Sequence, residues 1–297
     1  MEKKTTGQRG VPGSNREDFE MKDEPKIDYS ALDRPEVLMF LFHPRPETGS
    51  PYQAAGSHGP PSEGTDIMIP VAEDIAIGAR FHMAQKSGAN IIFFHGNGEI
   101  VSDYDELGGI YNQMGINFLA VDYRGYGRSN GTPTITAMMQ DCHTIFDFVR
   151  QWLPANHYTG PTILMGRSLG SASVLELAAA YKKLIAGLIV ESGFAFAGPL
   201  LQLLGINLAG LGFKEEKGFG NIEKIRSFDN PTLIIHAEFD HIIPLSDGRA
   251  LYDACPSADK TFLKIPDANH NDIFMRGLQD YLAAVKKLVE TVKAKGC

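Results

Sequence analysis

One serine in this sequence stands in a context that is typical of a catalytic nucleophile. The apolar run Thr162–Met165 leads into the motif Gly-Arg-Ser-Leu-Gly at residues 166–170, and a helix-like segment follows from Ala172 to Lys183. A strand–turn–helix elbow of this kind exposes the serine Oγ at the top of a sheet. The two glycines fit the turn because a Cβ at either position would collide with neighbouring backbone. The motif therefore predicts that Ser168 is a nucleophile.

Two backbone N–H groups are expected to stabilise the negative charge that develops when Ser168 attacks a carbonyl. One belongs to Leu169, the residue after the nucleophile. The other should come from the loop after the predicted strand Ile91–His95, where two glycines flank Asn97 and let its N–H turn toward the serine. Glu99 in the same loop is expected to face solvent or a basic partner, since a carboxylate would oppose an oxyanion.

A serine nucleophile also needs a general base and an acid that orients the base. His270 lies in a polar loop after the last predicted strand, at the sheet edge where sites occur in open α/β folds. His236 falls inside an apolar strand, and His241 directly follows the acid candidate. That candidate is Asp240, which ends the penultimate predicted strand. Glu191, at the end of an earlier strand, is the alternative acid, although the chain order of serine, acid and histidine favours Asp240.

The elements that position these residues follow from the apolar pattern. From Asn90 onward, short apolar runs alternate with helical patterns, which is typical of a doubly wound, mostly parallel α/β sheet. We predict antiparallel N-terminal strands at Asp66–Val71 and Ile75–Ala84, and a first strand at Val37–His43. The predicted parallel strands are Ile91–His95, Phe118–Tyr123, Thr162–Met165, Gly187–Glu191, Thr232–Ala237 and Thr261–Ile265. The predicted helices are Tyr104–Met114, Thr136–Leu153, Ala172–Lys183, Ser246–Ala254 and Leu278–Lys295.

Two segments stand apart from this alternation. Residues 1–33 are polar and mixed in charge, and we predict a flexible N-terminal arm before one domain over residues 34–297. Residues 194–219 are rich in leucine and form either core helix or a small lid over a binding cleft. Their position directly after a strand end favours the lid. Leu201 and Leu204 are then the candidates for apolar contact with a substrate.

The composition excludes some classes of protein. The chain has 297 residues, 43% of them hydrophobic, and a formal net charge of -8, which disfavours binding to nucleic acid. The three cysteines are sparse and unpaired in spacing, which is typical of a reducing compartment. No apolar stretch is long enough for a signal sequence or an integral membrane segment. We therefore expect a cytoplasmic protein, and the sequence leaves its oligomeric state unknown.

An ordered set of motifs, from about Asp66 to the C-terminus, resembles the α/β-hydrolase superfamily. The motifs are His-Gly-Asn-Gly at 95–98, Asp-Tyr-Arg-Gly-Tyr-Gly-Arg-Ser at 122–129, Gly-Arg-Ser-Leu-Gly-Ser at 166–171, Phe-Asp-His-Ile-Ile-Pro at 239–244 and Asn-His-Asn-Asp at 269–272. Within that superfamily the chain is similar to the single-domain hydrolases of the serine aminopeptidase-like and depalmitoylase-like groups. The resemblance implies a triad of Ser168, Asp240 and His270 that needs no metal or other cofactor.

The chain also departs from those relatives. It has His236-Ala237 where they usually carry His-Gly, and its N-terminal arm lacks the cysteine cluster of the animal depalmitoylases, so membrane anchoring is not implied. The expected function is cleavage of a small ester or thioester with an apolar acyl group, through an acyl-enzyme intermediate.

Two alternative functions remain open. An aminopeptidase-type amide hydrolase needs carboxylates to hold the substrate ammonium group, and the predicted lid offers only Glu215 and Glu216, beside Lys214 and Lys217. A non-catalytic binding protein could use the same fold, but it would not need to keep all three groups of the triad. Both alternatives are therefore disfavoured.

Overall fold

The computed structural model describes residues 28–47, 64–215 and 218–295, and one eight-stranded sheet lies at its centre. In chain order the strands are β1 Thr65–Ala72, β2 Ile75–His82, β3 Asn90–Phe94, β4 Asn117–Val121, β5 Thr162–Arg167, β6 Gly187–Glu191, β7 Thr232–Ala237 and β8 Lys260–Ile265. Their spatial order is β1-β2-β4-β3-β5-β6-β7-β8. β1 pairs antiparallel with β2 and β2 with β4, and the other neighbours are parallel. The predicted mostly parallel sheet with antiparallel N-terminal strands is confirmed.

Helices cover both faces of this sheet. They are α1 Pro35–Leu41, α2 Asp105–Gln113, α3 Ile135–Ala155, α4 Gly170–Ala180, α5 Ala197–Leu203, α6 Leu208–Leu211, α7 Asn221–Arg226, α8 Leu245–Ala254 and α9 Ile273–Lys295, with a 3₁₀ turn at Val101–Tyr104. The central strands are buried on both sides, so successive side chains enter opposite cores. In β3, for example, Ile92 and Phe94 join one core cluster, whereas Ile91 and Phe93 join the other.

The predicted first strand, Val37–His43, is wrong: most of it forms helix α1. A short apolar run does not distinguish a strand from a buried helix. The signals that decide lie at its start, where Pro35 occupies the first helical turn and Glu36 follows it. The helical spacing then buries Val37 and Leu41, which lie four residues apart on one face.

Most of the predicted N-terminal arm, residues 1–27, lies outside the described residues. The chain is already packed at Tyr29 and Leu32, which are 6% and 0% exposed. The Tyr29 ring lies 6.1 Å from that of Phe219, and the Lys224 ammonium donates to the Tyr29 hydroxyl at 3.2 Å. At the end of the predicted arm, Tyr29 and Leu32 therefore pack against the domain.

The strand register brings the loops that follow β3 and β5 together. Phe94 pairs with Gly166 across β3 and β5, and Arg167 pairs with Glu191 across β5 and β6. The loop that begins at His95 therefore starts beside the elbow, because parallel strands end at the same edge of a sheet. Ser168, Asp240 and His270 each follow one of these strands and therefore lie at this edge.

Among the helices of residues 28–47, 64–215 and 218–295, none combines the length and the apolar character that a bilayer span requires.

Candidate active site

Ser168 occupies a strained turn between β5 and α4. Its φ is 50°, in the left-handed region that residues with a side chain rarely adopt, and its N–H donates to the Glu191 carbonyl at 2.9 Å. A Cβ on Gly166 would lie 2.5 Å from the Gly170 carbonyl oxygen, and one on Gly170 would lie 2.1 Å from the Phe94 oxygen. Both glycines are therefore required by close backbone approach, as the sequence predicts.

Ser168, His270 and Asp240 form a continuous chain of hydrogen bonds. The Ser168 Oγ lies 3.1 Å from His270 Nε2, and His270 Nδ1 lies 2.7 Å from Asp240 Oδ2. All three residues are at most 9% exposed. With the Nδ1 proton directed at the carboxylate, Nε2 is free to accept the serine proton. The arrangement can therefore deprotonate the hydroxyl during attack on a carbonyl.

The Asp240 carboxylate is held in place from its other side. Its Oδ1 accepts the N–H groups of Ile242 and Ile243 at 3.0 and 2.8 Å. Burial, the largest influence, raises the pKa of Asp240, but the hydrogen bond and charge of His270 outweigh it, and the pKa falls below its usual range. The carboxylate therefore stays ionised and can stabilise a positive His270.

The other candidates occupy different environments. His236 is fully buried in β7, where its Nε2 donates to the Ile243 carbonyl at 2.8 Å and burial lowers its pKa. It supports the Asp240 loop. His241 is exposed. Glu191 is fully buried, and its carboxylate contacts Arg167 Nε at 3.1 Å and the Tyr281 hydroxyl at 2.8 Å. The carboxylate that contacts the His270 ring is thus that of Asp240.

The two predicted oxyanion donors lie on the loops that follow β3 and β5. Leu169 is the N-cap of α4 and is 4% exposed. The Asn97 side chain fixes the other loop, because its Oδ1 accepts from the His43 N–H and the Tyr126 hydroxyl, each at 2.7 Å. Neither the Leu169 N–H nor the Asn97 N–H donates to another group in the described parts of the chain.

A second contact holds the peptide unit that carries the Asn97 N–H. The carbonyl of that unit belongs to Gly96 and lies 2.7 Å from His95 Nδ1. The other ring nitrogen, Nε2, lies 3.1 Å from Asp122 Oδ1. Since the Gly96 carbonyl and the Asn97 N–H are the two ends of one amide, a hydrogen bond to the first fixes the orientation of the second. His95, in the same motif, therefore supports the peptide unit of Asn97, the predicted donor.

Sequence reasoning did not anticipate the side chain of Arg167. This guanidinium is 7% exposed, and its Nη1 lies 2.8 Å from Glu99 Oε1, so Glu99 has the basic partner that we expected for it. Arg167 Nη2 donates to the His270 carbonyl at 2.8 Å. A charged residue at the end of a fully buried strand is itself the signal, because a buried guanidinium requires acceptors close by.

The predicted substrate leucines lie in α5 and just after it. Leu201 is 1% exposed and belongs to the core cluster, whereas Leu204 is half-buried against that cluster. Their neighbour Leu203 is 57% exposed. A role for Leu201 and Leu204 in substrate binding, and the lid character of residues 194–219, stay predictions.

Known proteins resemble this chain over most of the domain. A family model described as serine aminopeptidase, S33, matches residues 85–209. Alpha/beta hydrolase domain-containing protein 17C of Mus musculus is 31% identical over 231 residues, covering 73% of this chain and 65% of that protein. Uncharacterized protein YfhR of Escherichia coli (strain K12) is 28% identical over 193 residues, covering 64% of this chain and 66% of that protein. The chain thus spans about two thirds of the length of these relatives.

Solved structures give the same fold. The esterase Pf2001 of Pyrococcus furiosus superposes with a TM-score of 0.66 at 15% identity and covers 84% of this chain and 98% of its own. The relatives, this shared architecture and the order of the motifs along the sheet agree. The chain therefore belongs to the α/β-hydrolase superfamily.

Proposed function

We propose that the protein is a serine hydrolase that cleaves carboxylic esters or thioesters through an acyl-enzyme intermediate. The observation that carries this proposal is the hydrogen-bonded chain from Ser168 Oγ through His270 to Asp240, with distances of 3.1 and 2.7 Å. A nucleophile, a base and an orienting acid in this geometry, next to two N–H donors, are what acyl transfer requires.

The roles follow from the contacts. His270 Nε2 takes the proton of Ser168 as Oγ attacks the carbonyl carbon, and the N–H groups of Leu169 and Asn97 hold the oxyanion. His270 then protonates the leaving alcohol or thiol. In the second half, His270 deprotonates a water that attacks the acyl-enzyme carbonyl. The bond between the acyl carbon and Ser168 Oγ then breaks, His270 returns the proton to Oγ, and the acid is released. Throughout, Asp240 keeps the imidazole oriented and stabilises its positive form.

An apolar acyl group suits the surroundings of the site. Phe196, Phe239 and Met275 are 41%, 63% and 87% exposed, although large apolar side chains are usually buried. They lie on the segments that follow β6, β7 and β8, at the sheet edge that carries the proposed triad. Exposed apolar side chains on triad-bearing segments favour an acyl or otherwise apolar substrate over a polar one.

The aminopeptidase alternative is disfavoured by the position of Glu215. Its two carboxylate oxygens accept the N–H groups of Ala197 and Gly198 at 2.6 and 2.8 Å, where they cap the start of α5. A carboxylate used in this way is not free to bind a substrate ammonium group. Glu216, the other candidate, lies outside the described residues. A binding protein does not require His270 to be oriented toward Ser168, so the binding-protein alternative is also disfavoured.

The test is a substrate panel with purified protein. p-Nitrophenyl esters of graded acyl length should be turned over, a thioester of the same acyl group should distinguish the two leaving groups, and an aminoacyl p-nitroanilide serves as the control. Turnover of the anilide without turnover of the esters would replace the proposal with the aminopeptidase alternative. If none of the substrates is turned over, or if turnover persists in Ser168→Ala, the result would favour a binding protein.

A further inference from the structure

The guanidinium of Arg167 contacts three different parts of the proposed site. Its Nη1 lies 2.8 Å from Glu99 Oε1, its Nε lies 3.1 Å from Glu191 Oε1, and its Nη2 donates to the His270 carbonyl at 2.8 Å. These partners follow β3, end β6 and follow β8, respectively. One side chain beside Ser168 thus reaches the oxyanion loop, the strand next to the elbow and the general base.

Glu99 transmits the contact to the oxyanion loop. Its Oε2 accepts the Gly96 N–H and the Tyr104 hydroxyl, both at 2.6 Å, while its Oε1 contacts Arg167. Gly96 directly precedes Asn97, the proposed oxyanion donor. A Cβ on Gly96 would lie 2.8 Å from Glu99 Oε2 and 3.1 Å from Arg167 Nη1, so loop and ion pair are in close contact.

Glu191 transmits the contact to the elbow. Its carbonyl accepts the Ser168 N–H at 2.9 Å, and its Oε2 accepts the Tyr281 hydroxyl of α9 at 2.8 Å. Its side chain is fully buried, so its position depends on Arg167 and Tyr281. The Arg167 guanidinium thereby connects the strand that holds the nucleophile with the helix that follows the base.

The geometry points to Arg167 as a positioning residue that aligns the oxyanion loop and His270 with Ser168. This inference rests on the proposed function of the site. Each of its three nitrogens lies beside a different partner: Nη2 donates to the His270 carbonyl, while Nη1 and Nε form ion pairs with Glu99 and Glu191. Only a planar guanidinium presents three nitrogens in that arrangement. A lysine would keep the charge but would present one nitrogen, which cannot reach all three groups.

The first test is kinetic and uses Arg167→Lys. We expect kcat for a short ester to fall about 100-fold with little change in KM, because a displacement of about 1 Å in a catalytic group has that effect. Arg124→Lys is the matched control, since Arg124 also forms an ion pair with a buried carboxylate, through Asp141 at 2.7 Å. It should lower the melting temperature similarly and leave kcat unchanged. Equal kcat in Arg167→Lys and the wild type would overturn the inference.

The second test separates this inference from the proposed activity. In Arg167→Lys, the Gly96 amide proton should exchange at least tenfold faster, and the downfield NMR signal of the proton between His270 and Asp240 should shift or disappear. Both readouts exist without any substrate, and Arg124→Lys should change neither. Unaltered exchange and an unaltered signal would refute a positioning role even in an active enzyme. Inactivity of the wild type would refute the proposed function instead.

Glu99→Gln tests the coupling itself. If Glu99 acts through Arg167, the kcat of the double variant Glu99→Gln/Arg167→Lys should be close to that of Arg167→Lys alone. If the fold-losses in kcat of the two single variants multiply in the double variant, the two side chains act independently. The proposed link between the oxyanion loop and His270 would then not exist.

Discussion

At the scale of single residues, the contact with Asp240 distinguishes His270, the proposed general base, from His236, which is also buried. Asp240 Oδ2 lies 2.7 Å from His270 Nδ1, and the Ser168 hydroxyl lies at the other ring nitrogen. The same oxygen is 3.6 Å from His236 Nε2, which donates to the Ile243 carbonyl at 2.8 Å instead. The contact with His270 lowers the pKa of Asp240 against the effect of its burial. The carboxylate therefore selects the tautomer that leaves His270 Nε2 free toward the serine.

Asp240→Asn should lower kcat by about 10³–10⁴-fold and preserve the fold, because an amide can donate to His270 and stabilise the wrong tautomer. Steady-state kinetics and circular dichroism check the two parts. Glu191→Gln, the matched carboxylate, should cost far less in kcat, since the Glu191 carboxylate contacts Arg167 and Tyr281. A larger loss for Glu191→Gln than for Asp240→Asn would reverse the assignment of the acid.

At the scale of elements, an ion pair joins the helices behind the sheet. Glu176 on α4 contacts Lys224 on α7 at 2.6 Å and His143 on α3 at 3.3 Å. Burial raises the pKa of Glu176, but these partners outweigh it and lower the pKa to about 2. Burial also lowers the pKa of Lys224, so the pair stabilises the fold less than the shift of Glu176 alone would imply.

A lowered folded-state pKa means that Glu176 stabilises the protein above its unfolded pKa, and that this contribution is lost as the pH falls from about 4.5 toward about 2. The difference in free energy of unfolding between wild type and Glu176→Gln should be at most about 3 kcal/mol at pH 6 and should shrink by pH 3. Urea unfolding at both pH values measures it. Glu223→Gln, which removes an exposed pair with Arg226, should show no such trend, and a pH-independent difference for Glu176→Gln would contradict the account.

The segment from 194 to 219 offers a matched pair of leucines. Leu204 is half-buried, whereas Leu203 is 57% exposed. If the segment is a lid that contacts the acyl chain, kcat/KM should rise roughly fourfold per methylene, from about 0.8 kcal/mol each, until the pocket is full. Leu204→Ser should flatten that rise without abolishing acetyl-ester turnover, and Leu203→Ser should leave it intact. If kcat/KM of the wild type does not rise with acyl length, the segment is part of the hydrophobic core and does not contact the acyl chain.

At the scale of the whole molecule, the sequence predicts what local pattern determines. Mostly apolar runs such as β3 and β6 predict buried parallel strands, and the order of their ends predicts where Ser168, Asp240 and His270 lie. The sequence does not reveal which polar groups meet across strands. The contacts of Arg167 with Glu99 and with the His270 carbonyl depend on strand register and on loop conformation.

The two errors of element prediction have the same physical origin. Helix α1 was predicted as a strand, and helix α7 was not predicted, because both are short and their apolar residues show too few turns to define a period. Their buried residues, such as Leu41 and Ile225, are fixed by packing against the domain. Tertiary contacts, and not local pattern, decide elements of this length.

The central claim is that Ser168 is the nucleophile of this fold, and covalent labelling tests it most directly. A fluorophosphonate probe should add once to the wild-type protein, and mass spectrometry of its peptides should locate the adduct on Ser168. Ser168→Ala should abolish labelling and leave the melting temperature nearly unchanged, while His270→Gln should slow labelling strongly. Labelling that survives in Ser168→Ala, or an adduct on another residue of the wild type, would contradict the account.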